Sequence, residues 1–290
     1  MPTVDRDGSP DTVERSWHRA RAANAQHFED VWSRGSPVLE RFRLNLVAAR
    51  RSFRHAVRAA GVPLSGVRVL DVGFGSGVLL FQFKTTCRLA GTEFSDSAIA
   101  RATSRASRRG YRDYRFVKAD GPDLPFPDES FDVVLASHVV EHVADDIALM
   151  REMRRVAAPG GFVVILVPLD STAPGVLDEA GLMNPAHAAA GHFHVRNYNF
   201  ESVASRVAAH CGPLVYAQAE FETWDWKVSL DRPRRRLTGN PASRIVDRLI
   251  AALLNVPLAA LPWAGLRALD RMFAHLGYRP RQATMVVRRP

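Results

Sequence analysis

Short apolar runs alternate with helical stretches from Val67 onward, and this alternation limits the possible folds more than any other feature of the chain. Runs of this length suit buried strands, while the stretches between them carry apolar residues at three- and four-residue steps. Strands that alternate with helices form a parallel sheet with helices on both faces, so we expect an α/β domain with a doubly wound sheet. The predicted strands are 67–72, 88–94, 114–118, 131–137, 161–167, 214–222 and 283–287, and the predicted helices are 77–83, 96–108, 145–157 and 200–210.

The segments on either side of this alternation have a different character. In the N-terminal part, a helical pattern opens at Pro37, with arginines between its apolar positions. Residues 223–281 break the strand–helix rhythm before the last predicted strand. We therefore divide the chain into a helical N-terminal cap (1–66), a core (67–222 plus 282–290) and a helical insertion (223–281).

Positive charge is concentrated at the end of the chain. The 290 residues have a formal net charge of +9. Residues 1–66 carry +4, residues 67–222 carry −4 and residues 223–290 carry +9. Such asymmetry indicates a surface role for one segment. Because the predicted core is net negative, we expect no nucleic-acid partner.

The insertion combines basic and apolar stretches. It holds a basic run at 232–236 and 18 residues without a charge at 249–266. That length borders on a membrane span, but Asn255 and two prolines argue against one, since unsatisfied backbone groups are costly in lipid. Three interpretations stay open: a lid packed on the domain or on a second copy in a homodimer, a peripheral membrane contact through 232–276, and a site for an anionic or lipid-linked substrate.

The cysteine content and the first residues of the chain indicate the cellular compartment of the protein. Cys87 and Cys211 are too few for a disulfide framework or a thiolate zinc site, and they suit a reducing compartment. The first ten residues contain no apolar signal sequence. We therefore expect a cytoplasmic protein that is at most peripheral at a membrane.

A glycine-rich turn, Asp-Val-Gly-Phe-Gly-Ser-Gly from Asp71 to Gly77, follows the first predicted strand. Glycines let a backbone approach a ligand closely, and the N-terminus of a following helix offers free N–H groups to an anion. A dinucleotide-binding fingerprint would need a glycine at position 78, where Val78 stands. Glu93 closes the next strand, 20 residues after Gly73, where a carboxylate can bind a ribose diol.

Six motifs occur in order along the predicted core. They lie at 71–77, 91–95, 119–126, 131–143, 158–161 and 194–198. Together they make the region from Val67 to Glu222 resemble the class I S-adenosylmethionine-dependent methyltransferases, in the large branch that acts on small molecules. The resemblance implies a Rossmann-like seven-stranded sheet, S-adenosyl-L-methionine as the cofactor and a small-molecule acceptor.

The resemblance also implies cofactor contacts, residue by residue. The loop of Gly73, Gly75 and Gly77, with the helix after it, would receive the methionine carboxylate, and Asp71 would orient loop amides or the cationic amino group. Glu93 would accept hydrogen bonds from both ribose hydroxyls. The remaining predicted contacts, at the adenine ring and around it, are Phe94, Asp120, Gly121 and Ser137.

Catalysis in this class depends more on alignment and exclusion of water than on a protein nucleophile. A hydroxyl acceptor must also lose a proton, for which histidine is the natural base near neutral pH. We favour His142 as this base, because strand carboxyl ends face the ligand crevice. The other candidates are His138 beside it, and His192, His194 and Asp170 after the fifth strand.

The stretch from His138 to His142 also spells H-x-x-E-H, an inverted zinc-protease motif. That motif needs both histidines on one face of a helix, whereas here it straddles the exit of a strand. We therefore expect no metal site.

The resulting expectation is an enzyme that transfers a methyl group from S-adenosyl-L-methionine to a small molecule in a biosynthetic pathway, with a hydroxyl oxygen as the favoured acceptor. The alternative within the class is a membrane-associated lipid or quinone-type enzyme, or one that acts on carbon or nitrogen. The alternative from another class is a cofactor-binding protein without turnover. The exit of the fourth strand lacks the Asn/Asp-Pro-Pro-aromatic motif of enzymes that methylate nucleic-acid bases.

Overall fold

The structure is a computed structural model that describes residues 44–119, 121–169, 198–220 and 282–290, together with Glu29. The insertion (223–281), the segment 170–197 and the rest of the first 43 residues lie outside the described residues. The three interpretations of the insertion therefore stay predictions.

Helices and strands follow one another along the described chain. The helices are α1 (Leu44–Ala59), α2 (Asp96–Arg108), α3 (Asp146–Val156) and α4 (Phe200–Cys211). The strands are β1 (Arg68–Val72), β2 (Arg88–Glu93), β3 (Tyr114–Lys118), β4 (Phe131–Ser137), β5 (Ala157–Pro168), β6 (Leu214–Glu220) and β7 (Gln282–Arg288). Short 3-10 turns occupy Leu80–Gln82 and Val140–His142.

The strands form one sheet in the order β3-β2-β1-β4-β5-β7-β6. β7 is antiparallel to both of its neighbours, and the other paired strands are parallel. The prediction of a seven-stranded α/β sheet with Rossmann-like topology is thus confirmed. The chain leaves β1 toward β2 on one side and returns to β4 on the other, so the carboxyl ends of β1 and β4 flank the crevice where such sheets bind ligands.

An apolar layer covers each face of the sheet. On one face α1 and α2 pack over β-strand residues that include Leu135, Val164 and Val286. On the other face α3 and α4 pack over residues that include Ile165 and Met285. Both faces of the central strands are covered, so apolar and polar residues do not alternate along them. These strands therefore appear in the sequence as continuous apolar runs.

Helix α1 belongs to the predicted N-terminal cap and packs directly on the sheet. Phe53 and Val57 are buried in the same apolar layer as strand residues. The buried Ser52 hydroxyl donates a hydrogen bond to the buried carboxylate of Glu220, at the end of β6. The helix therefore reaches the carboxyl edge of the sheet, where β6 ends and Gln282 begins β7.

The prediction of a helix at 77–83 is wrong. The structure has only the 3-10 turn at Leu80–Gln82 in this segment. Leu79, Leu80, Phe81 and Phe83 are all buried there. Leu79 and Leu80 lie four and three residues before Phe83 and could share a helical face with it, but Phe81 would point away from that face. A compact turn buries them together, whereas a regular helix would expose part of the set.

The motif at 158–161 lies inside a strand, although the fifth strand is predicted to begin only at 161. β5 starts at Ala157, and its pairing with β4 shifts register between Phe131 and Val133, as expected of a bulge. Gly160 has φ of 74°, and a Cβ on Gly161 would lie 2.9 Å from the carbonyl oxygen of Asp132. The two glycines therefore let the chain cross its neighbour closely while the ladder continues.

Helix α2 has the predicted bounds, and the Ser95 side chain caps it by accepting a hydrogen bond from the Ala98 amide at 3.1 Å. Helix α3 begins one residue later than predicted, because Asp145 serves as its N-cap and accepts from the Ala148 amide at 2.8 Å. None of the helices within the described ranges combines the length and apolar character needed to cross a membrane.

Candidate functional site

The glycine-rich turn leaves β1 directly into the crevice. Gly73, Gly75 and Gly77 have φ values of 62°, 49° and 66°, in the left-handed region that favours glycine. A Cβ on Gly73 would lie 2.7 Å from Cγ2 of Val139, just beyond β4. The turn therefore packs against the exit of β4, and two of the sequence motifs meet at this point.

Several amides of this turn donate hydrogen bonds to acceptors within the protein. Gly73 donates to the Thr92 carbonyl at 2.8 Å, and Gly75 donates to Oε2 of Glu93 at 2.9 Å. Gly77 donates within the turn at 2.6 Å. Because no α-helix starts at Gly77, the helix N-terminus predicted to receive a carboxylate does not form here. A carboxylate would contact the turn alone.

The carboxylate of Glu93 joins the end of β2 to the glycine turn. It is 4% exposed, and its Oε1 accepts from the amides of Phe94 at 2.9 Å and Ser95 at 3.2 Å. With the bond from Gly75, both oxygens have backbone donors. Burial raises the pKa of Glu93, and these three donors offset part of that rise.

Asp71, near the end of β1, is 3% exposed and accepts a hydrogen bond from the amide of Leu80, which opens the 3-10 turn. Burial, together with the nearby charge of Glu93, raises the pKa of Asp71 to about 8. At neutral pH this group is therefore mostly protonated in the free protein. Any ligand that places a positive charge beside it would favour the ionised form.

Carboxyl groups are concentrated at this corner of the sheet. Among the described residues, no Lys or Arg forms an ion pair with Asp71 or Glu93. Glu29 adds a third carboxyl group: hydrogen bonds from the side chains of Ser95 and Ser97 lower its pKa, and its charge raises the pKa of Glu93. Such a cluster of carboxyl groups suits a cationic ligand.

One arginine makes several of the contacts that hold the segment after β3. Arg155 of α3 donates to the carbonyls of Leu124 at 3.1 Å and Phe126 at 2.9 Å. It also pairs with Asp128 and Glu152, each at 2.6 Å, and these hydrogen bonds raise the pKa of the guanidinium. Arg155 therefore ties the loop assigned to adenine by resemblance to α3, together with the bond from the Leu124 amide to Glu152 at 3.3 Å.

Gly121 opens this loop with φ of 94° and has room around its Cα, since a Cβ would meet no atom within 4 Å. The Ala119 amide donates to the Glu93 carbonyl at 3.1 Å, which brings the loop beside the end of β2. The neighbouring Asp120 lies outside the described residues, as do His192, His194 and Asp170.

The exit of β4 carries the histidines. Ser137 pairs with Leu166 at the carboxyl end of the strand. His138 follows with φ of 55°, an uncommon value for a residue with a side chain, and its amide donates to the Leu166 carbonyl at 2.9 Å. Its Nε2 lies 3.3 Å from Oε1 of Gln282, at the start of β7. The ring is thus directed across β5 along the carboxyl edge of the sheet.

A buried carboxylate lies between two imidazoles at this exit. Glu141 is 0% exposed, and its Oε1 lies 3.6 Å from Nδ1 of His138 and 3.8 Å from Nε2 of His142. The side chains of His138 and His142 are 38% and 20% exposed. Both rings therefore contact one acid while part of each reaches the surface. The described residues contain no group of three or more side chains placed to hold a metal ion.

Sequence reasoning missed Glu141, Gln282, Glu29 and Arg155. Glu141 stood inside the H-x-x-E-H pattern and inside the motif at 131–143, but no role was predicted for it. Arg155 carried a weak signal as the partner of Glu152 three residues earlier on a predicted helix. Gln282 and Glu29 are remote in sequence from the groups they contact, and no local pattern marks them.

A sheet of this strand order, with a glycine turn after β1 and an acid at the end of β2, defines a class I methyltransferase fold. Residues 70–165 match the model of a family described as a methyltransferase domain. The match lies inside the region that resembles the class I methyltransferases, and it supports that resemblance.

Curated relatives with three different acceptor chemistries match this region. A phosphatidylethanolamine N-methyltransferase of Cereibacter sphaeroides is 37% identical over 37% of this chain and 54% of its own length. The ubiquinone/menaquinone biosynthesis C-methyltransferase UbiE of Bdellovibrio bacteriovorus is 37% identical over 35% of this chain and 44% of its own length. A ubiquinone biosynthesis O-methyltransferase of Rhizobium johnstonii is 38% identical over 36% and 42%. The matched part of the chain spans about half the length of these relatives.

Solved structures share the fold over most of the chain. Phospholethanolamine N-methyltransferase 2 of Haemonchus contortus, in complex with phosphomonomethylethanolamine and S-adenosylhomocysteine, superposes with a TM-score of 0.52 at 18% identity, covering 83% of this chain and 52% of that one. The 4+2 cyclase SpnF superposes with a TM-score of 0.53 at 20% identity, covering 84% and 81%. At these identities the likeness shows the fold alone.

Proposed function

We propose that the chain binds S-adenosyl-L-methionine in the crevice between β1 and β4 and transfers its methyl group to a hydroxyl oxygen of a small molecule. The observation that carries this proposal is the pair of buried acids, Asp71 and Glu93, which have no Lys or Arg partner within the described residues. The cofactor has an ammonium group and a sulfonium centre, so its charge complements these acids. The family match supports the same cofactor.

Each part of the site has a role in this proposal. Asp71 would ionise beside the ammonium group, and Glu93 would exchange backbone donors for the ribose hydroxyls. The glycine turn would leave room for the methionine part of the ligand, with no help from a helix dipole. Phe94, Gly121 and Ser137 would lie around the adenine, and we propose the same role for Asp120, which is outside the described residues.

When bound, the cofactor supplies a methyl group already activated by a sulfonium. The chain must then align the acceptor and take its proton. We assign the proton to His142, because it follows the carboxyl end of β4, where strand ends face the ligand crevice. His194 remains a further candidate outside the described residues.

The choice of the acceptor atom rests on the exit of β4. By their names, the matching relatives act at nitrogen, carbon and oxygen. A histidine beside a buried acid at the strand exit supports oxygen, because a hydroxyl has to lose a proton as it reacts. A lipid or quinone-type acceptor at a membrane surface is the alternative that the relatives support.

The domain division is part of the same proposal. The cap (1–66) and the insertion (223–281) would cover the acceptor side, and the core would comprise 67–222 and 282–290. Packing of α1 against β6 and β7 supports a cap that is joined closely to the core.

The test is a labelled-transfer assay with the full chain. Incubation with methyl-labelled S-adenosyl-L-methionine and a small-molecule extract of the producing cells should yield a labelled product that is one methyl group heavier than its precursor. Tight cofactor binding with no labelled product in any extract would instead favour a binding protein without turnover. SpnF, whose structure shares this fold, is named a cyclase and not a methyltransferase.

The base assignment has its own test in His142→Ala. Turnover with a hydroxyl acceptor should fall by about 100-fold or more, since a placed base contributes roughly 10²–10⁴-fold, while the dissociation constant for the cofactor should stay within about twofold. His210→Ala, on α4, is the matched control and should leave both values unchanged. Equal losses in turnover and cofactor affinity after His142→Ala would refute the base assignment.

A further inference from the structure

We propose that the buried polar side chains of Gln282 and Thr284, near the start of β7, bind a second hydroxyl group of the acceptor and so select acceptors that carry more than one hydroxyl. This inference rests on the proposed function, in which the acceptor is a small molecule that reacts at a hydroxyl oxygen. It adds the class of acceptor, and it disfavours an acceptor that would place a lipid tail at this position.

The two side chains share one face of the sheet. Residues two apart in a strand point to the same side, and Thr284 pairs with Leu166 of β5. Leu166 and Val286, the next residue on this face of β7, are buried in the same apolar layer as Phe53 of α1. Gln282 and Thr284 therefore lie on the α1 face, at the end of β7 that adjoins the carboxyl edge of the sheet.

The layer beneath α1 changes from apolar to polar at this edge. Four polar residues are 4% exposed or less there: Ser52, Glu220, Gln282 and Thr284. Glu220 lies directly opposite Gln282 in the antiparallel pair of β6 and β7, and it accepts a hydrogen bond from the Ser52 hydroxyl. Burying polar groups costs free energy unless they are paired, so stability alone would favour apolar residues at these positions.

The hydroxyl of Thr284 is buried without a hydrogen-bond partner among the described residues. Gln218 lies opposite it in β6, and the Oε1 of Gln218 accepts from the Tyr216 hydroxyl at 2.5 Å. An unpaired buried hydroxyl destabilises a fold, whereas valine has the same shape and lacks that cost. A ligand that pairs with the hydroxyl explains why threonine occupies this position.

The amide of Gln282 has a polar end left over for a ligand. Its Oε1 lies 3.3 Å from Nε2 of His138, and within the described ranges this is the one hydrogen bond of the side chain. A glutamine side chain has an acceptor and a donor, so contact with one ring nitrogen leaves the other group available. The Cα atoms of Gln282 and Thr284 are about 7 Å apart along the strand, a gap that one hydroxyl bonded to both side chains can bridge.

The position suits the far end of an acceptor. The reacting end would lie at the crevice beside the exit of β4, and β5 separates β4 from β7. Two strand spacings make about 10 Å, which is the length of a small molecule of one or two rings. An acceptor without a polar group at that end would leave the buried amide and hydroxyl unpaired, and sites of this kind reject such analogues strongly.

Thr284→Val removes the hydroxyl and keeps the shape of the side chain. We expect kcat/KM for the acceptor found in the labelled-transfer assay to fall about tenfold and the dissociation constant for the cofactor to stay within about twofold. The urea midpoint of the free protein should stay equal or rise, because the unpaired hydroxyl is gone. Thr103→Val, which removes an exposed hydroxyl from α2, is the matched control and should change neither kcat/KM nor cofactor affinity.

A hydroxyl with a purely structural role would behave in the opposite way. Thr284→Val would then lower the urea midpoint and leave kcat/KM unchanged, and that result would overturn the proposal. Gln282→Leu, which also loses the contact with His138, should lower kcat/KM by at least as much as Thr284→Val. The double variant should lose less than the product of the two single effects, because both side chains bind one hydroxyl. Fully multiplicative losses would overturn the shared site.

Retention of small molecules without turnover separates this inference from the proposed function. The immobilised full chain, loaded with S-adenosylhomocysteine, is exposed to a small-molecule extract of the producing cells, and retained compounds are identified by mass. The wild type and Thr103→Val should retain a compound with at least two hydroxyl groups, and Thr284→Val and Gln282→Leu should retain at least tenfold less of it.

Retention of such a compound by the wild type, with no methylated product in the labelled-transfer assay, would refute the proposed function and support the hydroxyl site. Equal retention by all four proteins would overturn the hydroxyl site. It would also be overturned if the wild type retained no compound, or only compounds with fewer than two hydroxyl groups.

Discussion

Replacing Asp71 by Asn should make the protein more stable relative to the wild type as the pH rises. The pKa of Asp71 is about 8 in the folded chain, against an ordinary value of 3.8, chiefly because the group is buried and secondly because Glu93 lies near. The folded state therefore holds this proton over a pH range in which the unfolded state has lost it. A group of this kind contributes stability that is complete below about pH 4 and is lost as the pH rises through about 8.

The size of the effect follows from the same linkage. One pKa unit corresponds to about 1.4 kcal/mol, so between about pH 5 and pH 8 the wild type should lose on the order of 1 kcal/mol per pH unit through Asp71 alone. Asn cannot titrate, and its carbonyl oxygen can still accept the hydrogen bond from the Leu80 amide. The stability of the variant should therefore not fall through this titration, and the hydrogen bond that anchors the 3-10 turn should remain.

Urea unfolding at a series of pH values between 5 and 9 measures this difference. The free energy of unfolding of Asp71→Asn, minus that of the wild type, should increase with pH up to about 8 and then level off. Asp113→Asn is the control, because Asp113 is an exposed acid on the surface. A difference that is constant, or that falls as the pH rises, would show that Asp71 is not a carboxyl group held neutral by its surroundings.

Two further predictions concern the loops of the site. Gly73→Ala should destabilise the protein by about 1–3 kcal/mol, measured by urea unfolding, and should abolish cofactor binding. The substitution adds left-handed backbone strain and a Cβ 2.7 Å from Val139. Gly110→Ala is the control, because a Cβ there would meet no atom within 4 Å, so that only the backbone strain should lower its stability. Arg155→Ala should free the loop after β3 and weaken cofactor binding by about tenfold, measured by calorimetry. Arg151→Ala, on the exposed side of the same helix, is the control and should leave the affinity unchanged. Equal affinities in the two variants would show that the contacts of Arg155 with the loop are dispensable.

The sheet could be predicted because its physical cause is local. Strands such as β4 are apolar throughout, since both of their faces are covered, and the Ser95 cap of α2 is a short-range signal with a known geometry. The prediction of a helix after the glycine turn was wrong because the structure there depends on packing and not on a local signal. Leu79, Leu80 and Phe83 have helical spacing, but Phe81 does not share their face, and the 3-10 turn buries all four side chains.

The acids of the cofactor site could be placed from the sequence, but their electrostatics could not. Position in the chain puts Asp71 and Glu93 at the ends of neighbouring strands. It does not show that Glu93 takes its donors from Gly75 and from the residues that follow it, nor that Asp71 is left mostly neutral. The contact of His138 with Gln282, 144 residues away, depends on β7 entering the sheet beside β5.

The most direct test of the proposed function is the affinity of the chain for S-adenosyl-L-methionine, measured by calorimetry in the wild type and in two variants that each lose one acid. The wild type should bind the cofactor, Glu93→Gln should bind it at least tenfold more weakly, and Asp96→Asn, which removes an exposed acid paired with Lys118, should bind it as the wild type does. Equal affinity in Glu93→Gln and the wild type, or no binding by the wild type, would contradict the assignment of the buried acids to the cofactor.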